Sequence, residues 1–475
     1  MLHTVHSTKF LNVPKIYRNF KRFRPLFVDD RISRRRLEEK RDDTIAQDLL
    51  FNDSSLSTKS RTTFDLVRAL ILLRLCKIDR LVDNGEKLVS LCKSMFGSAF
   101  YETLMKATIY KQFVAGETTE DVKSVAKELG KLNVNCMFCV PTEDVLEDDI
   151  NSTKIADLEE QCERNLRSML NCVDLTASLG NFAQSKITPV ISGDVINEIA
   201  DMLTGYITNH EDRPVHLDVK TWSRALTANV EQHEILPGFA RTTKEHVRNG
   251  LRRLGILASR AGETGVKLML DAEYIHLQSG IDLIILALQQ KYNQQTAVVF
   301  NTYQCYRKDT PGRLQNDIQL AQKYDFKIAC KLVRGAYMEY ERQQAAEQGY
   351  DDPICENIEE TERNYKEAID LMLTQVAQDQ GEVMIATHNE ECIKYGVKRM
   401  KELNIKPEQG HVSFGQLYGM CDHVSCELGS AGYNVHKSVP YGTVDDSMLY
   451  LLRRARENKD VMARTKKKVR SSSTK

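Results

Sequence analysis

The sequence predicts an α/β protein, a distorted (β/α)8 TIM-type barrel with an N-terminal helical region. Eight short apolar runs recur along the chain after its first quarter. Most of them are followed by polar turns and by amphipathic patterns of helical period, which is typical of a parallel sheet with crossover helices. Eight is also the number of strands that closes a (β/α)8 barrel.

The predicted strands are defined by these apolar runs. In chain order they lie at residues 134–140, 181–187, 267–270, 297–300, 328–333, 383–386, 412–414 and 435–439. The second unit is irregular, because about 80 mostly helical residues separate residue 187 from residue 267. Residues 215–219 in that interval also resemble a strand, so they are a rival for strand two, and Lys220 is then the alternative to Lys186.

The chain divides into four predicted regions. Residues 1–28 form a basic arm, 29–132 a linker and helical region, 133–460 the barrel, and 461–475 a basic flexible tail. The arm carries six Lys or Arg residues and no Asp or Glu. That composition suits a mitochondrial transit peptide, and a disordered basic arm is the alternative.

Composition narrows the class of protein. With 66 basic and 66 acidic residues the net charge is zero, which gives a nucleic-acid partner no general electrostatic support.

The longest apolar run, residues 66–76, contains two arginines and is too short to span a bilayer, so we expect a helix lying on the protein or on a membrane surface. The 12 cysteines lack disulfide spacing, which indicates reduced thiols; the single C-x2-C at Cys136 and Cys139 has no second pair that would favour zinc.

Polar residues follow the predicted strands repeatedly. One such residue is usually turn chemistry, but five sets in register on a barrel indicate a site at the carboxyl ends of the strands. The sets contain Asp271 and Glu273; Gln304; Lys331 with Arg334, Gly335, Ala336 and Tyr337; Thr387 with His388 and Asn389; and Gln416 with Leu417. The chain has no G-x-G-x-x-G or P-loop sequence, which disfavours a Rossmann nucleotide site. The eleven histidines are dispersed, so no metal site is expected.

A short segment after the last strand carries two adjacent arginines, Arg453 and Arg454. On a helix their guanidinium groups can converge on one anion, and Tyr450 and Glu457 lie on the same face. An aromatic wall beside a double-arginine fork suits the carboxylate of a free amino acid. A solvated helix with charge pairs is the alternative.

Together these motifs resemble the proline dehydrogenase family. The resemblance runs from about residue 62 to residue 458 and rests on K-L-V-R-G-A-Y, D-A-E, N-T-Y-Q-C-Y, A-T-H-N and Y-L-L-R-R-A-R-E-N. It implies an FAD-dependent barrel that oxidises the ring C–N bond of proline, usually at the mitochondrial inner membrane, with a membrane quinone as electron acceptor. Residues 66–76 and 107–123 are most similar to the animal hydroxyproline dehydrogenase branch, and peripheral membrane contact through residues 66–76 is one implied possibility.

One position supports that branch. Where proline dehydrogenases read K-Y-V-P-Y-G, this chain has Ser438 in place of the first tyrosine. A serine leaves space beside C4 of the substrate ring and adds a hydroxyl, so a 4-hydroxyl group would fit. Two alternatives stay open: Ser438 is neutral drift in a proline enzyme, or it points away and Tyr441 lines the pocket.

The resemblance also implies roles for single residues. Arg453 and Arg454 would clamp the carboxylate, Tyr337, Leu417 and Tyr450 would wall the substrate, and Ser438 would lie beside C4. Lys186, Asp271 and Lys331 would be catalytic. The implied FAD-binding residues are Gln304, Arg334, Gly335, Ala336, Thr387, His388 and Glu457. Strand two is the least secure assignment, since Pro189-Val190 replaces the usual Ala-Leu after Lys186.

The expected reaction is oxidation of trans-4-hydroxy-L-proline to 1-pyrroline-3-hydroxy-5-carboxylate. The alternatives are an ordinary L-proline dehydrogenase, a non-catalytic barrel relative, and a lyase that uses Lys186 or Lys331 as a Schiff base. The lyase leaves the double-arginine segment unexplained.

Overall fold

Eight parallel strands close into a barrel in chain order, with β8 paired to β1. The computed structural model describes residues 49, 51, 62–75, 78, 81, 84–139, 155–209, 218–226, 235–448 and 451–452. The strands are β1 Asn135–Cys139, β2 Phe182–Ser185, β3 Lys267–Leu270, β4 Val299–Gln304, β5 Ile328–Val333, β6 Gly381–Ala386, β7 Val412–Leu417 and β8 Asn434–Pro440. The predicted (β/α)8 fold is therefore confirmed.

Helices precede the barrel and surround it. Before β1 lie α1 Thr63–Leu75, α2 Gly85–Phe96, α3 Ser98–Met105, a π-helical turn Lys106–Tyr110, α4 Lys111–Phe113 and α5 Thr119–Gly130. Between the strands lie α6 Ile155–Leu179, α7 Gly193–Asn209, α8 Val219–Ala225, α9 Arg241–Thr264, α10 Ile275–Tyr292, α11 Thr310–Tyr324, α12 Met338–Gln348, α13 Ile358–Ala377, α14 Glu390–Glu402, a 3-10 turn Pro407–Gln409 and α15 Asp422–Ser430. Residues 444–448 and 451–452 are helical again.

Strand two lies within the predicted residues 181–187, and not in the rival segment 215–219. Gln184 pairs with Cys139 of β1 and with Met269 of β3, so β2 completes the ring between them. The rival segment is not a strand in the part that the structure describes, because Val219 begins α8 and Lys220 lies exposed on that helix. Residues 215–217 lie outside the described residues.

Strand four differs from its prediction, which covered residues 297–300. It runs from Val299 to Gln304, and all six of its residues are buried. The apolar run marked only its beginning, because Asn301, Thr302 and Gln304 are polar but lie inside the protein with hydrogen-bond partners. A buried polar residue satisfied in this way costs little, and an apolar pattern does not reveal it.

The interior of the barrel begins with an apolar layer. Met137, Phe182, Met269, Phe300 and Met384 belong to one buried cluster, in which the rings of Phe182 and Phe300 meet edge to face at 5.3 Å between centroids. Side chains alternate along a strand, so the residues two positions further on also point inward, nearer the carboxyl end. Gln184, Asp271 and Thr302 follow this layer.

The N-terminal helices are tied to the carboxyl ends of β7 and β8. The hydroxyl of Tyr110 donates to the carbonyl of Gly442 at 2.6 Å, and the side-chain amide of Gln112 donates to the carbonyl of Gly419 at 2.9 Å. Tyr101, Tyr110 and Val114 share a buried apolar cluster with residues 444, 448 and 451 beyond the barrel. These helices therefore pack beside the mouth of the barrel.

Segment 107–123 lies in the region predicted to be helical, but it is not one continuous helix. Residues 114–118 leave the helical conformation, and a new helix begins after Thr118. Thr118 and Asp121 form a capping box, with the Asp121 amide donating to the threonine hydroxyl at 3.2 Å. Within the described ranges, no helix combines the length and apolarity needed to cross a bilayer.

Candidate active site

A buried ion pair lies at the carboxyl end of the barrel interior. The ammonium of Lys331 on β5 contacts the carboxylate of Asp271, which directly follows β3. Both side chains are about 97–98% removed from solvent. A buried charge is tolerated only when it is paired and hydrogen-bonded, so each residue depends on the other.

Two further side chains extend this pair across the barrel. The amide nitrogen of Gln184 on β2 donates to Asp271 Oδ2 at 2.6 Å. The hydroxyl of Ser438 on β8 donates to Gln184 Oε1 at 3.2 Å. Lys331, Asp271, Gln184 and Ser438 therefore form one connected series of hydrogen bonds, which we call the polar chain.

Ser438 points into the barrel. It lies opposite Leu417 of β7 in the strand register and is 3% exposed. Tyr441 lies on the other side of the strand wall, where its ring meets that of Phe138 at 6.2 Å and its hydroxyl contacts Cys172 on α6. Burial raises the pKa of Tyr441 far above its usual range. Ser438 therefore faces the barrel interior, whereas Tyr441 faces the surrounding helices.

Lys186 lies one residue beyond β2 and is less enclosed than Lys331. Its side chain keeps 22% of its exposure, and its ammonium lies 3.7 Å from Glu273 Oε2. Glu273 is buried and also accepts a hydrogen bond from the Thr188 hydroxyl at 2.7 Å. The two predicted lysines therefore pair with different carboxylates, Glu273 for Lys186 and Asp271 for Lys331, at the same end of the barrel.

Gln304 connects β4 to the loop after β5. Its amide nitrogen donates to the carbonyl of Glu273 at 2.9 Å, and its carbonyl accepts from the backbone N–H of Ala336 at 3.0 Å. Gly335 has φ of +140°, and a β-carbon there would lie 1.1 Å from the ring of Tyr306. Only glycine fits this position, so the backbone of residues 335–336 is held close over the ring.

Two donors remain at the ends of β5 and β6. Arg334 is 5% exposed. Among the described residues its guanidinium donates to the Cys392 sulfur at 3.6 Å and is paired with no carboxylate. His388 accepts a hydrogen bond from the Leu417 backbone N–H at Nε2, at 3.0 Å, while its buried Nδ1 has no partner among those residues. We call Arg334 and His388 the donor pair.

Burial keeps the His388 ring neutral. Desolvation, reinforced by the nearby Lys437 charge, lowers the pKa of His388 to about 3. Because Nε2 accepts from Leu417, the ring proton lies on Nδ1, so that atom is a hydrogen-bond donor. Thr387 beside it is fully buried, and its hydroxyl accepts from the Asn389 N–H at 3.1 Å.

The remaining predicted residues fall in two groups. Leu417 is buried at the end of β7, and Tyr337 is the N-cap residue before α12, with its ring 4.5 Å from that of Tyr274. The other predicted site residues lie outside the described residues: Tyr450, Arg453, Arg454 and Glu457.

Gln184 is the site residue that the sequence analysis missed. It is 4% exposed and joins Asp271 to Ser438. The signal was its position two residues before Lys186 in a strand whose alternate residues face inward. Because it lies within an apolar run, the sequence pattern predicts a strand there and does not single out its side chain.

The fold and this arrangement define a (β/α)8 enzyme with a deeply buried polar site at the carboxyl end of its barrel. The chain belongs to the proline dehydrogenase family, whose model matches residues 151–467. It is therefore an oxidoreductase that acts on a CH–NH group.

Similar proteins support the same family. A hydroxyproline dehydrogenase of Xenopus laevis is 36% identical over 87% of this chain and 86% of its own. The human hydroxyproline dehydrogenase is 37% identical over 88% and 90%. Human proline dehydrogenase 1, mitochondrial, is 28% identical over 87% of each chain.

Solved structures share the fold. Proline utilization A from Bdellovibrio bacteriovorus, inactivated by N-propargylglycine, superposes with a TM-score of 0.59 at 17% identity, covering 90% of this chain. The match covers 41% of that longer protein, so this chain spans less than half of its length.

Proposed function

We propose that this protein oxidises trans-4-hydroxy-L-proline to 1-pyrroline-3-hydroxy-5-carboxylate with FAD and passes the electrons to a membrane quinone. The inward hydroxyl of Ser438 is the observation that carries the choice of substrate. A serine takes less space there than a tyrosine, and its hydroxyl offers a 4-hydroxyl group a polar partner. The similarity to hydroxyproline dehydrogenases from several animals supports the same choice. The alternative is an ordinary L-proline dehydrogenase.

The donor pair fits a flavin nucleotide. Arg334 is a buried cation without a carboxylate in the described part of the chain, which suits a phosphate oxygen. The His388 Nδ1–H is a buried donor without an acceptor there, which a bound cofactor would supply. Gln304, Gly335, Ala336, Thr387 and Glu457 are the further residues proposed to hold FAD. When bound, FAD supplies the redox chemistry by accepting a hydride equivalent from C5 of the ring.

The chain itself binds and orients the substrate. Arg453 and Arg454 would hold the carboxylate, while Tyr337, Leu417 and Tyr450 would exclude water. Lys186 and Lys331 would provide positive charge, and Asp271 would hold Lys331 and Gln184 in place. The ring nitrogen must be neutral before C5 can release a hydride equivalent, so activity should rise with pH through the pKa of the bound amine.

Replacing Ser438 tests the choice of substrate. The wild type should have a higher kcat/KM for trans-4-hydroxy-L-proline than for L-proline. Ser438→Tyr should move that ratio toward proline by about 5- to 150-fold, because the ring crowds C4 and removes a polar contact. Tyr441→Phe is the matched control and should leave the ratio unchanged, since Tyr441 faces α6. A wild type that prefers proline would return the protein to the ordinary proline dehydrogenases.

Replacing each arginine of the pair tests the carboxylate clamp. Arg453→Ala or Arg454→Ala should raise KM about 10- to 100-fold and leave FAD bound, because a charge-assisted bond contributes roughly 1.5–3 kcal/mol. Arg363→Ala on the outer surface of α13 removes the same charge from a side chain that is 69% exposed, and should change nothing. Unchanged KM in both clamp variants would remove this assignment.

The N-terminal helices offer a surface for contact with a bilayer. Their exposed apolar side chains recur at helical spacing on α1, and others continue over α2 and α3: Phe64, Val67, Ile71, Leu75, Leu88, Leu91, Met95, Phe96, Phe100 and Leu104. We call this set the apolar helix face. Exposed apolar side chains grouped in this way are typical of an interaction site, and an acceptor dissolved in a membrane favours lipid as the partner.

A vesicle experiment tests that contact. Wild type should co-float with phosphatidylcholine–phosphatidylglycerol vesicles and reduce quinone in them, whereas the Phe64→Ser/Phe100→Ser variant should do so weakly. Its activity with a soluble dye acceptor should be unchanged. Tyr340→Ser, at an exposed aromatic outside this face, is the control. Equal flotation of all three proteins would contradict the lipid assignment.

The proposed location is the mitochondrion, in the matrix or at the inner membrane. The basic composition of residues 1–28 and the names of similar mitochondrial enzymes support it. Deleting residues 1–28 should leave the enzyme active but cytosolic in cells. Import of the truncated chain would place the signal elsewhere.

A further inference from the structure

The chemistry of the groups in the polar chain fixes which group donates and which accepts in each of its hydrogen bonds. An ionised carboxylate only accepts hydrogen bonds, so the group of Gln184 that meets Asp271 Oδ2 at 2.6 Å must be its NH2. The Lys331 ammonium donates to Asp271 Oδ1, so both oxygens of that carboxylate serve as acceptors. The Gln184 carbonyl is thereby turned away from Asp271 and toward β8.

The same direction continues to Ser438. A carbonyl oxygen cannot donate, so at 3.2 Å the Ser438 hydroxyl must give its hydrogen to Gln184 Oε1. Once that hydrogen is engaged, the Ser438 oxygen offers only its lone pairs to anything else at the mouth of the barrel. This contact spans the barrel interior past β1, because Ser438 and Gln184 lie on the two strands that flank it.

We propose that Gln184 is a specificity-determining positioning residue that makes Ser438 a hydrogen-bond acceptor, so that the pocket selects a substrate whose C4 substituent donates. The proposal rests on the proposed function and adds its mechanism of recognition. A 4-hydroxyl group satisfies the requirement with its O–H. A 4-fluoro group of similar size does not, and unsubstituted proline makes no contact there. The pocket therefore selects a hydrogen-bond donor at C4, and a substituent that merely fits the available space is not selected.

Gln184→Met provides the first test, because methionine has a similar length and lacks both polar groups. Without the Gln184 carbonyl to accept its hydrogen, the Ser438 hydroxyl can rotate, so it can donate to the substrate as well as accept from it. We expect the ratio of kcat/KM for trans-4-hydroxy-L-proline to that for trans-4-fluoro-L-proline to fall roughly 3- to 10-fold, the worth of one hydrogen bond. Taking each ratio relative to wild type removes the intrinsic electronic effect of fluorine.

Ser438→Ala in both backgrounds completes a double-mutant cycle. If Gln184 acts through Ser438, then Gln184→Met should have no effect on the hydroxy/fluoro ratio once the serine hydroxyl is absent. A purely structural effect through Asp271 would instead lower kcat/KM for both substrates together, with or without the hydroxyl. Flavin absorbance of each purified variant reports that the site is intact.

The outcomes separate failure of the proposed function from failure of the role assigned to Gln184. A wild type that prefers L-proline overturns the proposed function and this inference with it. A wild type that prefers hydroxyproline, combined with an unchanged hydroxy/fluoro ratio in Gln184→Met, overturns the inference and leaves the function standing. A ratio that falls equally in the Ser438→Ala background also overturns it, because Gln184 would then act by another route.

Discussion

The polar chain and the donor pair lie at the same end of the barrel, yet their hydrogen-bonding groups are satisfied differently. In the polar chain, Lys331, Asp271, Gln184 and Ser438 satisfy one another in series. In the donor pair, Arg334 meets a thiol, and the His388 Nδ1–H lacks an acceptor among the described residues. One region is organised by the chain alone, whereas the other has unused capacity for an anionic, acceptor-rich ligand.

This difference separates two ways of building a site. A self-satisfied network keeps its geometry before the substrate arrives, so it can favour one substituent over another. Buried donors without acceptors cost stability in the free protein and recover it when a ligand supplies the acceptors. We therefore expect mutations in the two regions to affect stability with opposite signs.

The largest effect is expected for Lys331→Met. The substitution leaves the Asp271 carboxylate buried without its cation, which should lower the free energy of unfolding by about 3–5 kcal/mol. Denaturant unfolding measures it. The double variant Lys331→Met/Asp271→Leu should recover most of the loss, since it removes the stranded charge. A single variant as stable as wild type would mean that the polar chain is not self-supporting.

Arg334→Met should behave in the opposite way. It should weaken FAD binding about 10- to 100-fold, the value of one charge-assisted contact, while the flavin-free protein keeps or gains stability. Arg253→Met is the matched control, because Arg253 is equally buried but is paired with Glu159 and with Glu163 at 3.0 Å. That variant should lose stability and leave flavin affinity unchanged. If Arg334→Met destabilised the flavin-free protein as Arg253→Met does, the proposed difference between the donor pair and the polar chain would be wrong.

The smallest effect concerns acidification. Burial lowers the pKa of His388 and of His436 to about 3, so the unfolded chain takes up protons that the folded chain refuses. Their contribution is complete above the ordinary histidine pKa near 6.5 and is lost as pH falls toward 3. Between pH 7 and pH 5.5 each histidine should cost about 1 kcal/mol of unfolding free energy. His388→Phe and His436→Phe should each remove that share of the pH dependence; a slope that neither variant alters would show that other groups cause it.

Much of the architecture followed from sequence patterns because those patterns report burial directly. The runs at β3 and β5 coincide with the observed strands, since their apolar residues face both the interior and the surrounding helices. β4 was displaced because half of it is polar and buried, and its partners come from distant parts of the chain. Asn301, for example, donates to Asp282 on α10 at 3.1 Å.

The sequence by itself determined the residue types at the strand ends and, through their motifs, the family and the expected roles of Asp271, Lys331 and Ser438. Only the tertiary structure decided which of them meet. Closing the barrel brings residues 184 and 438 within 3.2 Å across 254 positions of chain. The direction of a hydrogen bond depends on what lies at both of its ends, so the orientation of Ser438 follows from Asp271 and Lys331 and appears in no local pattern.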